Sequence, residues 1–142
     1  MSSQSFDTLT LDQVQVGDEL PPLDVPLTTT LIVGSAIASR DFTPVHHDKG
    51  VAQGQGMGDV FMNILTTNGF VGRYVTDWAG RDAVVKNVAI KLGAPNLPGD
   101  TMKMRGKVES KDDDVVVVSV VGRNSWGDHV TGTVKLALPK EG

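Results

Sequence analysis

Cysteine is absent from the chain. That excludes a disulfide framework, an iron–sulfur cluster, a thiolate zinc site and a cysteine nucleophile, and it is the usage expected of a cytoplasmic protein. Long apolar runs are missing too. Nothing approaches the roughly 20 apolar residues that cross a bilayer, and residues 1–10 lack the basic and apolar regions of a signal peptide, so a soluble, unexported protein without a membrane role is expected. A surplus of positive charge is also lacking: the formal net charge is −4, whereas binding phosphates needs a concentrated basic surface, so no nucleic-acid partner is expected. With no internal repeat, low-complexity tract or long linker, the chain reads as one domain over residues 1–142.

What is present divides into a lead-in, a helix and strands. Gly17, Asp18, Pro21, Pro22 and Pro26 make residues 14–26 dense in turn formers, so residues 1–26 read as an N-terminal arm lying over the surface. The β-branched run from Thr28 to Val33 predicts a first strand, and residues 35–40 one or two helical turns. Pro44 disfavours helical geometry at Thr43, so the chain is expected to be irregular from Asp41 to Pro44. From Val60 to Trp78 apolar residues recur at helical spacing, which predicts the main helix; Gly69 and Gly72 within it suggest close approach by strands. Phe70, Tyr74 and Trp78 read as core or interface aromatics.

After Gly80 the period changes to two. Val84, Val88, Ile90 and Leu92 share one face, as do Met102, Met104, Gly106 and Val108, while Lys103, Arg105 and Lys107 point the other way as a solvent face. Turns are predicted at Pro98–Asp100, Asp112–Asp114 and Trp126–Asp128, with strands over 115–121 and from Val130 to Leu138. One strand, a long helix and four antiparallel strands make an α+β layout with the helix on one sheet face.

The densest chemistry lies in Arg40-Asp41-Phe42-Thr43-Pro44-Val45-His46-His47-Asp48. A turn around Pro44 would bring the Asp41 carboxylate and the His46 imidazole together, and such a pair can hold and deprotonate water because histidine titrates near neutrality. Spacing alone favours a plainer reading, in which Asp41 binds local amides, Asp48 caps a short helix over residues 49–53 and the histidines are ordinary surface residues. A metal site at His46, His47 and Asp48 is disfavoured: adjacent histidines in extended chain diverge, and His129 is distant in sequence.

Asp41-Phe42-Thr43-Pro44-Val45-His46 resembles the Asp-x-Asn-Pro-(Ile/Val)-His signature of MaoC-like (R)-specific enoyl-CoA hydratases, a hotdog-fold family. The resemblance extends from about Val16 to Leu138. Val45–Asp48, Asn63–Thr66, Arg73–Gly80 and Val121–Asn124 are similar to the small MaoC-like subunits of actinobacterial steroid side-chain hydratases. It implies a hotdog domain in which a sheet wraps the long helix, with Asp41 and His46 as the catalytic pair. The implied activity is water addition to a trans-2-enoyl-CoA, with coenzyme A as part of the substrate and no cofactor or metal. A second, larger MaoC-like subunit is the implied partner.

An oxyanion donor is then needed. It is expected near Gly56, Gly58 and Asp59, where the family's His-Gly pair is represented by Gly58-Asp59 and where Asp59 is an alternative helix cap. Thr43 also departs from the signature's asparagine. An acyl-CoA thioesterase and a non-catalytic acyl-binding or scaffold subunit are the alternatives.

Overall fold

The computed structural model describes residues 8–140; residues 1–7 of the predicted arm and residues 141–142 of the predicted domain lie outside them. Five strands form one antiparallel sheet: β1 (Leu23–Pro26), β2 (Val84–Leu92), β3 (Thr101–Asp112), β4 (Val115–Asn124) and β5 (Gly127–Ala137), in the order β1-β3-β4-β5-β2. Three helices precede β2: α1 (Thr29–Ala38), α2 (Lys49–Gly54) and α3 (Ile64–Ala79). The long helix against an antiparallel sheet is the α+β arrangement expected of a hotdog domain.

Two elements correct the sequence reading before the long helix. The run beginning at Thr28 is α1, not a strand: the Thr28 side chain accepts from the Leu31 amide at 3.0 Å, and Ile32 and Ala36, one helical turn apart, are fully buried. A cap and a buried i, i+4 pair thus override the weak β preference of the branched residues. The first strand lies instead within the supposed arm, where Leu23–Pro26 pairs with Met104–Thr101. Proline is tolerated there because β1 is an edge strand. The arm is also built into the core, since Val14, Leu20 and Val25 are buried and the Gly17 and Leu20 amides donate to β3 carbonyls at Val108 and Gly106.

Helix α3 begins later than the periodicity suggests. Val60 and Met62 are buried in irregular chain before it, while Thr67, Val71, Tyr74, Val75 and Ala79 form its buried stripe. Phe70 and Trp78 pack partly buried against the same core. Gly69 and Gly72 do not admit a strand: a Cβ at either would meet nothing within 4 Å. The close approach is made from the sheet side, at Gly106, where a Cβ would lie 2.9 Å from Tyr74 Cε1. Beneath the helix, Met102, Met104 and Val108 of β3 meet Val116, Val118 and Val120 of β4 and Val134 and Leu136 of β5, all buried.

On the opposite sheet face Lys103, Arg105 and Lys107 are exposed, and Arg105 pairs with Asp24 at 2.9 Å. In β2 a register shift between Val85 and Asn87 breaks the simple alternation, leaving Val84 exposed while Val88 and Ile90 pack on the core; Leu92, in phase with them, is exposed at the strand's end. The last turn falls at residues 125–126, because Gly127 already pairs with Asn124.

Candidate active site

The site is assembled where α1 ends, a one-turn 3-10 helix forms and α3 begins. Arg40 takes a left-handed φ of 58°, which reverses the chain and lets the Asp41 amide donate to the Ala36 carbonyl at 2.9 Å. That bond closes the end of α1 and projects Asp41 from it. Thr43 is extended ahead of Pro44, and residues 44–46 make a tight turn in which the His46 amide donates to Thr43 O at 3.1 Å. The turn returns His46 to Asp41, with Nε2 3.4 Å from Oδ2.

The hydrogen bonds fix the proton positions. His46 Nδ1 lies 2.7 Å from the Phe61 carbonyl, which only accepts, so Nδ1 carries the hydrogen. In the neutral ring, Nε2 is therefore an acceptor facing the carboxylate. Phe61 adds an edge-on contact to the imidazole, with ring centroids 4.9 Å apart. Asp41 Oδ1 accepts from the Thr43 hydroxyl at 2.7 Å and the Thr43 amide at 3.2 Å. The Thr43 hydroxyl is the chief reason that the Asp41 carboxyl titrates below its ordinary value, with the Asn63 amide and His46 adding to it against partial desolvation. Asp41 retains 18% of its side-chain exposure, so solvent reaches the pair.

Asn63 is the residue that sequence reasoning missed. It is buried, caps α3 through Oδ1 to the Thr66 amide, and donates from Nδ2 to Asp41 Oδ2 at 3.2 Å and Ser39 Oγ at 2.9 Å. Its signal was a cap-forming asparagine three residues ahead of Thr66, obscured because the apolar pattern carries the helix back to Val60.

Gly56, Gly58 and Asp59 lie in the chain leading to α3, not in its first turn. Gly56 has a left-handed φ of 89°, and Gly58 O accepts from Gln53 Nε2 at 3.3 Å. Asp59 accepts from the Val60 amide and lies 3.7 Å from Lys49 Nζ, so it does not cap the central helix. His46 is buried, His47 is exposed and Asp48 caps α2 through the Val51 amide. These three side chains do not converge.

A buried polar layer seats the start of α3 on the sheet. His129 Nδ1 donates to Ala94 O at 2.7 Å, so its Nε2 accepts from the Thr67 hydroxyl at 2.8 Å. Desolvation pushes His129 below the ordinary histidine value. Asn124 Nδ2 donates to Asn96 Oδ1, and the Met62 amide donates to Asn96 O.

Comparison with known proteins identifies the family and the fold. The model of the MaoC like domain family matches residues 13–128. The chain is 49% identical over 123 residues to the 3-oxo-4,17-pregnadiene-20-carboxyl-CoA hydratase beta subunit of Mycobacterium tuberculosis, covering 87% of this chain and 95% of that one. The crystal structure of the ChsH1-ChsH2 complex from Mycobacterium tuberculosis contains a similar chain at 48% identity and a TM-score of 0.87, covering 88% of this chain and 98% of that one. The unliganded R-hydratase PhaJ1 from Pseudomonas aeruginosa shares the fold, with 18% identity, a TM-score of 0.86 and coverage of 94% and 88%.

Proposed function

This chain belongs to the MaoC-like domain family, and from that premise we propose that it is the catalytic subunit of a heteromeric enoyl-CoA hydratase. The observation that carries the reading is the pairing of two acceptors, Asp41 Oδ2 and His46 Nε2, 3.4 Å apart with solvent access. One water can donate a hydrogen to each and present its oxygen lone pair to the β-carbon of a trans-2-enoyl thioester. As the oxygen–carbon bond forms, the π electrons move toward the α-carbon and the thioester oxygen. The water gives up a proton to the pair, and the α-carbon receives one, so the acid/base groups end as they began.

Negative charge on the thioester oxygen needs fixed donors. The first amides of α3, at Ile64 and Leu65, have no acceptor within the helix and lie at its positive end. They fit the role better than Gly56, Gly58 or Asp59, which precede the helix and include a carboxylate. Phe42, Ile64 and Leu65 are exposed apolar neighbours of Asp41 and Asn63, a surround suited to an acyl group or a partner surface.

The substrate class proposed is a steroid side-chain enoyl-CoA, and the partner a second MaoC-like subunit, both by kinship with the mycobacterial beta subunit and the ChsH1-ChsH2 complex. The full chain co-expressed with such a partner is expected to add water, a gain of about 18 Da seen by mass spectrometry, to 3-oxo-4,17-pregnadiene-20-carboxyl-CoA. Release of free thiol with the double bond intact would identify a thioesterase instead.

A further inference from the structure

Asn63 is more deeply engaged than a helix cap requires. The residue is 1% exposed, and all four hydrogen-bonding valences of its amide are used. Nδ2 donates to Ser39 Oγ and Asp41 Oδ2, while Oδ1 accepts from the amide and the hydroxyl of Thr66. The neighbours fix the orientation of the amide. Turned over, its oxygen would face a carboxylate and its NH2 group would face the Thr66 N–H.

The carboxylate oxygen that Asn63 holds, Oδ2, is the one facing His46 Nε2, while Oδ1 is occupied by Thr43. Capping alone would be served as well by serine or aspartate. Serine does not reach with a donor, and aspartate would set a second carboxylate beside Asp41. We propose that Asn63 is a positioning residue for the hydration reaction, aiming Asp41 Oδ2 at the attacking water and tying the first turn of α3 to the same carboxylate. The inference rests on the hydration reading and deepens it: one side chain sets the distance between the water-activating pair and the amides that would meet the thioester oxygen.

Two variants separate this role from capping. Asn63→Ser keeps a cap oxygen and loses the donor; Asn63→Asp keeps size and cap but replaces the donor with a carboxylate. In the assembled full-length protein, with 3-oxo-4,17-pregnadiene-20-carboxyl-CoA as the probe, kcat is expected to fall about 10- to 100-fold in both, with KM changed less than about threefold. The acid limb of the kcat profile moves up by about one pH unit in Asn63→Asp. The carbon-13 titration of the Asp41 carboxyl moves upward in both variants. Folded variants with wild-type kcat and an unmoved Asp41 titration would overturn the proposal, provided that Asp41→Asn abolishes turnover. Turnover that survives Asp41→Asn, or its absence from the wild type, would overturn the hydration reading itself.

Discussion

His129 contributes stability through a proton it does not take up. Burial holds its folded value below the ordinary 6.5, so below about pH 6.5 the unfolded chain binds a proton that the folded one refuses. Its contribution is therefore complete above that pH and shrinks as pH falls toward the lowered folded value. The melting temperature of the wild type is expected to decline between about pH 7 and 5.5, and His129→Gln to flatten that part of the decline. For Asp41 the sign is opposite in origin but similar in direction: its lowered carboxyl favours folding above the unfolded value of 3.8 and ceases to do so as pH falls through the folded value. At this scale the approach of Asp41 to His46 was legible in the turn around Pro44, whereas their catalytic reading came from the family resemblance, since spacing alone favoured a structural one. Asn63 and Thr67 were not, since an amide or hydroxyl has no motif of its own and gains meaning only from the partner that folding brings within reach.

The elements differ in how local their causes are. Strands β3 and β5 announce themselves by alternation, because one face meets α3 and the other meets solvent. The Thr28 helix does not, since six branched or apolar residues in a row fit either a strand or a buried turn until Ile32 and Ala36 find the core. If the Thr28 hydroxyl bond defines the start of α1, Thr28→Ala should cost about 1 kcal/mol in urea unfolding with an unchanged m-value. The start of α3 was misplaced for a related reason. Val60 and Met62 continue the apolar pattern while lying in irregular chain, and the Asn63 cap marks where helical bonding begins.

At the scale of the molecule, the sheet and the long helix form the base, and the proposed catalytic pair sits beside the N-terminal end of α3. No helix among the described residues is long and apolar enough to cross a membrane. The family model and the fold place the chain in the MaoC-like domain family, and the Asp41–His46 pair at 3.4 Å carries the proposal that this domain activates water. The decisive measurement is turnover of 3-oxo-4,17-pregnadiene-20-carboxyl-CoA by the assembled protein carrying Asp41→Asn or His46→Ala. Each substitution is predicted to lower kcat by about 100- to 10,000-fold while assembly and the melting curve stay near wild type. Hydration at the wild-type rate by either folded, assembled variant would contradict the assignment of the pair.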